Sequence, residues 1–171
     1  TLAALHFFDP AALGLDDFGK KGNYFERQIA RWSRQYQSDE IAGRDANMDR
    51  LIEWLPEHVP AGDESRIVHG DYRADNMVFH PTEPRVAAVL DWELSTLGHP
   101  LADFTNHLMM YRLPPEILSG LGGVDLAALN LVTEQDYIDA YCRRTARDGI
   151  ADIGFYRAFA LFRLAAIYHG I

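Results

Sequence analysis

The stretch that most constrains this chain is His69-Gly70-Asp71-Tyr72-Arg73-Ala74-Asp75-Asn76, with Asp91-Trp92-Glu93 further on. Short β-rich runs enclose it. Ile67-Val68-His69 leads in, Met77-Val78-Phe79 leads out, and Pro81 to Pro84 reads as a turn. Val86-Ala87-Ala88-Val89-Leu90 predicts a short buried strand ending at Asp91. Asp71, Asn76 and Asp91 therefore fall on loops at the ends of apolar strands, where a rigid scaffold presents polar groups to solvent and ligand. Taken singly, each is an ordinary turn residue, because Asp, Asn and Gly supply turn geometry. The information lies in the set and its order.

That order has a chemical use. Phosphoryl transfer needs a carboxylate near the attacking hydroxyl and oxygen ligands that hold Mg²⁺ against nucleotide phosphates. Asp71 would accept the hydroxyl proton, while Asn76 and Asp91 would hold the metal. A metal-dependent phosphohydrolase built on Asp71, Asp91 and Glu93 is a weaker reading, because it leaves Asn76 idle and wants more ligands nearby.

The pattern H-G-D-x-x-x-x-N, then a strand, then D-W-E, resembles the catalytic and metal loops of the aminoglycoside phosphotransferase-like (choline kinase-like) family. That family is distantly related to the protein kinases, with their H-R-D-x-x-x-x-N and D-F-G loops. Gly98-His99-Pro100-Leu101-Ala102-Asp103 resembles the family's G-D-P-x-x-D segment, with His99 where Asp is usual. More narrowly, His69 to Asp103 and Tyr24 to Trp32 are similar to the kinase-like domain that accompanies some acyl-CoA dehydrogenases. The resemblance implies a protein kinase-like C-terminal lobe, mostly helical, with a small β-hairpin region carrying the catalytic and metal loops: an α+β fold. It implies ATP as co-substrate, Mg²⁺, Asp71 as the hydroxyl-orienting base, Asn76 and Asp91 as metal ligands, and His69 and Asp103 as braces of the catalytic loop. Arg73 and Glu93 are candidate substrate or phosphate contacts. The acceptor it favours is a hydroxyl of a small metabolite such as a hydroxyacyl-CoA; an aminoglycoside and a pseudokinase without turnover are the alternatives.

Composition bounds this reading. The chain has 171 residues, enough for one domain with a proper core. Its net charge of −9 argues against general affinity for nucleic acid or anionic membrane. No apolar run approaches the roughly 20 residues of a membrane span. One cysteine, Cys142, excludes an internal disulfide and fits a reducing, cytoplasmic compartment. The two lysines, Lys20 and Lys21, lie in a Gly-flanked polar segment and not on a strand. Gly120-Leu121-Gly122-Gly123 has no strand before it and no Lys after it, so it reads as an ordinary loop. A kinase-like enzyme also needs a nucleotide-binding N-terminal lobe. The expectation is therefore a C-terminal lobe from a longer parent chain, inactive alone.

Periodicity places the remaining elements. Residues 1 to 23 are rich in breakers and predict irregular structure. Phe25, Ile29, Trp32 and Tyr36 give one face of a helix from Tyr24 to Tyr36, with Arg27, Arg31 and Arg34 on another. A second helix runs from an Asp45 or Asn47 cap to about His58, with Trp54 at its core or rim. Leu101 to Tyr111 forms a third, with Pro100 in its first turn. Pro115 to Leu118 predicts the start of a short helix. Thr133 with Asp136 reads as a cap for Glu134 to about Arg147. The last helix, Ile153 to His169, is apolar enough to be enclosed by others. The seven histidines show no metal-binding spacing.

Overall fold

The computed structural model describes residues 1–169. Among them are six helices: α1 (Leu2–Phe7), α2 (Tyr24–Ser38), α3 (Ala46–Glu57), α4 (Pro100–Leu108), α5 (Glu134–Arg144) and α6 (Ile153–Tyr168). Four short strands lie between α3 and α4: β1 (Arg66–Val68), β2 (Met77–Phe79), β3 (Val86–Val89) and β4 (Thr96–Gly98). The fold is α+β and mostly helical. None of the described helices is long and apolar enough to cross a membrane.

The core follows from the apolar stripes. Phe25, Ile29, Trp32 and Tyr36 of α2 are all buried. They face α6, which also packs against α3 and α4. Phe155, Phe159, Phe162 and Ala166 therefore vanish from solvent together, which is why α6 lacks a polar stripe. Caps fix the helix starts. Asp45 Oδ1 accepts from the amides of Asn47 (2.8 Å) and Met48 (3.1 Å). Thr133 Oγ1 accepts from the Asp136 amide at 3.1 Å and donates to the Asp136 carboxylate at 2.7 Å.

The strands form two antiparallel pairs. β1 pairs with β4, Ile67 opposite Leu97, and is buried. β2 pairs with β3, Met77 opposite Val89, with an irregularity after Val78. The first pair, with Val68 opposite Thr96, holds the loop that follows β1 beside the turn that precedes β4; the second is largely exposed.

Several expectations need correction. Residues 1 to 23 are not wholly irregular: Leu2, Ala3 and His6 bury one face of α1 before Asp9-Pro10 ends it. β4, too short to signal itself, was not expected. The β3 region is not a buried strand. Ala87 and Ala88 are exposed, and Leu90 is 48% exposed, because no element among the described residues covers that side of the hairpin. Pro115 to Leu118 forms turns, with Leu118 and Ser119 at positive φ. α5 stops at Arg144 because Thr145 Oγ1 bonds back to the Tyr141 carbonyl at 2.9 Å and Ala146 turns to positive φ. Trp54 lies at the rim, stacked on His58 with ring centroids 4.1 Å apart.

Candidate active site

The site is built outward from a buried carboxylate. Asp103, in the first turn of α4, is 3% exposed. Its Oδ2 accepts the His69 amide at 2.7 Å, and its Oδ1 accepts the Gly70 amide at 2.9 Å. Burial alone would raise its pKa. Hydrogen bonds from the His6 ring and from these two amides outweigh that effect and hold it below the usual carboxylate value. Gly70 has φ +85°, and a Cβ there would sit 2.5 Å from the Leu94 carbonyl oxygen. The backbone leaving β1 can take this path only as glycine.

His69 is fully buried. The Asp71 amide donates to its Nδ1 at 3.2 Å, so Nε2 carries the proton and donates to the Leu90 carbonyl at 2.9 Å. One ring thus ties the Asp71 loop to the residue before Asp91. Ser95 Oγ adds a second tie, donating to the Val68 carbonyl at 2.7 Å. From α6, an Arg163 N–H donates to the Gly70 carbonyl at 2.8 Å.

These ties bring the three polar residues onto neighbouring turns. Asn76 Nδ2 donates to the Asp71 carbonyl (2.9 Å) and to Asp71 Oδ2 (3.0 Å). The Leu90 amide donates to the Asn76 carbonyl at 2.8 Å, which sets Asp91 beside Asn76 across the base of the hairpin. Asp91 adopts φ 63°, the left-handed region that Asp tolerates better than most residues. It is exposed and makes no salt bridge among the described residues. With its amide nitrogen committed to Asp71, Asn76 presents Oδ1 as its remaining polar atom. An amide oxygen and a free carboxylate are the hard oxygen donors that suit Mg²⁺, so the residues present fit the expected metal. No group of three His, Cys, Asp or Glu side chains gathers for a metal among the described residues.

The other candidates are peripheral. Arg73 is turned onto Asp75, with Nε 2.9 Å from Oδ2. Glu93 is exposed on the turn Trp92–Leu94. His99 occupies the N-cap of α4, where its Nδ1 accepts the Leu101 amide at 3.2 Å. Burial pushes its pKa down to about 4, so it caps the helix as a neutral ring. On α2, Arg27 bonds the Lys20 carbonyl at 2.9 Å and Arg31 lies over Trp32.

Beside Asp71 opens a cleft of about 300 Å³. Its apolar wall includes Met109, Met110, Leu113, Leu164 and Ile167, and Arg73 and Arg163 also reach it. Sequence reading missed this wall because α4 and α6 are far apart in the chain. It also missed His6, whose spacing after Leu2 and Ala3 was the available signal for α1.

A helical lobe in which one buried Asp braces the first loop and a buried His ties that loop to the second has a kinase-like phosphotransferase architecture. Residues 1–144 match the phosphotransferase enzyme family, and the chain belongs to that family. Over its whole length it is 44% identical to mouse acyl-CoA dehydrogenase family member 10 and 41% identical to chicken acyl-CoA dehydrogenase family member 11. It spans 16% and 22% of those proteins, respectively. A crystal structure of a Ralstonia eutropha protein, provisionally named an aminoglycoside phosphotransferase, is 51% identical with a TM-score of 0.94. There the match covers 99% of this chain and 52% of the other. A macrolide 2'-phosphotransferase shares the fold at 17% identity and a TM-score of 0.64, over 99% of this chain and 52% of that one.

Proposed function

We propose that this chain is the C-terminal lobe of an ATP-dependent small-molecule kinase that moves the γ-phosphoryl group to a hydroxyl, with the nucleotide-binding lobe supplied by the rest of the parent chain. The observation that carries this reading is the Asn76 amide bonded to Asp71 at 3.0 Å, with Asp91 on the adjoining turn. Asp71 accepts the hydroxyl proton and aims the oxygen; Asn76, by occupying Oδ2, leaves Oδ1 for the substrate. Asn76 and Asp91 hold Mg²⁺, which would neutralise charge on the transferring phosphate. Asp103 and His69 fix the loops from below. Arg73 and Glu93 are candidate contacts to phosphate or acceptor at the edge of the site.

For the acceptor we favour a hydroxyacyl-CoA or similar acyl metabolite over an aminoglycoside. A polycationic antibiotic wants a wall of carboxylates. This cleft instead sets two carboxylates, Asp71 and Asp75, against two guanidiniums, Arg73 and Arg163, and fills the rest of its wall with methionine, leucine and isoleucine side chains, which suits an acceptor with an apolar chain. Relatives that are parts of acyl-CoA dehydrogenase chains point the same way. The test is ATP consumption by the full-length protein against panels of hydroxyacyl-CoAs and aminoglycosides. Phosphorylated hydroxyacyl-CoA is the expected product; phosphorylation of antibiotics alone would defeat the preference. No turnover with either panel would favour the pseudokinase.

A further inference from the structure

Behind the candidate site lies a buried relay that the sequence did not disclose. His6, on α1, is 4% exposed. Its Nε2 lies 3.2 Å from Asp103 Oδ2, and its Nδ1 lies 2.8 Å from the Tyr141 hydroxyl on α5. Burial raises the pKa of Tyr141, so the phenol keeps its proton and can donate to Nδ1. In the neutral ring that bond places the proton on Nε2, directed at Asp103. Tyr141 is itself held by stacking on Phe104, with ring centroids 3.9 Å apart.

We infer that His6 is a positioning residue for the Asp71 loop, with Tyr141 setting its tautomer. The Asp103 carboxylate has two oxygens and three donors: His6, the His69 amide and the Gly70 amide. The amides sit at the root of the Asp71 loop. Unpinned, the carboxylate could rotate and release one of them, and the loop would lose its fixed entry angle. His6 supplies the third contact and so pins the plane. Helices distant in sequence, α1 and α5, thereby determine where Asp71 points.

The effect on catalysis rests on the phosphotransferase reading; the effect on the loop does not. The experiment uses the full-length protein with His6→Leu, His6→Gln and Tyr141→Phe. Two quantities are read: amide hydrogen exchange of the Val68–Tyr72 segment, and kcat and KM for ATP and the acceptor. Losing one hydrogen bond to a charged group predicts exchange on the order of tenfold faster in His6→Leu, confined to that segment. kcat should fall on the order of tenfold with both KM values within about twofold. His6→Gln, which retains an N–H donor, should recover most of each. Tyr141→Phe should fall between, with exchange about threefold faster. Unchanged exchange at Val68–Tyr72, an equal rise across α5 and α6, or a Gln variant no better than Leu would overturn the proposal. Should His6→Leu fail to fold, Tyr141→Phe decides, and unaltered exchange there counts against it. If the unmutated protein transfers no phosphate, the functional reading fails while the exchange data still judge the relay.

Discussion

The two halves of the site differ in how they are held. The half containing His69, Gly70 and Asp103 is buried and its polar side chains are paired: Asp103 serves two amides, His69 bridges two loops, and Gly70 fits under Leu94. The half formed by the β2–β3 hairpin is open. Phe79 is 60% exposed, Leu94 51%, Leu90 48% and Trp92 43%, around an Asp91 without an ion-pair partner among the described residues. A buried polar group must be satisfied within the chain, so the first half has a single arrangement. The second half keeps apolar surface and charge available. That is what a surface built to meet a nucleotide and another lobe would keep.

The comparison predicts that the two halves break differently. In the full-length protein, Asp91→Ala should lower Mg²⁺- and ATP-dependent turnover by about 10²–10³-fold while shifting stability by less than about 1 kcal/mol. Rate assays and urea midpoints measured side by side would check both. Asp103→Leu should cost stability as well as turnover. Removing the acceptor for two buried amides and His6 should destabilise the fold by about 3–5 kcal/mol, visible as a fall in urea midpoint at unchanged slope. If the two variants lost stability equally, the division between halves would be wrong.

Acid should also attack the buried half first. His99 is held neutral, its pKa lowered from 6.5 to about 4. Between those values the unfolded chain binds a proton that the folded chain refuses, so stability is full above pH 6.5 and drains as pH falls toward 4. At about 1.4 kcal/mol per unit, the loss approaches 3 kcal/mol. Asp103, also lowered, adds a further loss below its ordinary carboxylate range. Thermal unfolding from pH 7.5 to 4 should show this slope, and His99→Asn should flatten its upper part while keeping a cap acceptor. The smallest effect belongs to the hairpin. Leu90→Ser should change the stability of this chain by under about 0.5 kcal/mol, yet cost more in the full-length protein if another lobe covers that face. Equal values in the two settings would argue that nothing covers it.

What the sequence disclosed divides along a related line. Local spacing revealed α2, α3, α4, α5 and α6 and the β2–β3 hairpin, because each depends on neighbours a few residues away. The rest depends on long-range partners. His6 reaches Asp103 and Tyr141 across separations of 97 and 135 residues. β4 exists because Leu97 meets Ile67. The cleft wall needs α4 and α6 side by side. The misjudged burial of β3 has the opposite cause. Its apolar pattern reads as burial, yet no element among the described residues covers it.

The most direct measurement is Mn²⁺ binding by the full-length protein in the presence of a non-hydrolysable ATP analogue, followed by electron paramagnetic resonance. Binding should be lost in Asn76→Leu and Asp91→Ala and kept in His99→Asn. Undiminished Mn²⁺ binding in Asp91→Ala would contradict the assignment of the hairpin base as the metal-holding edge of the site.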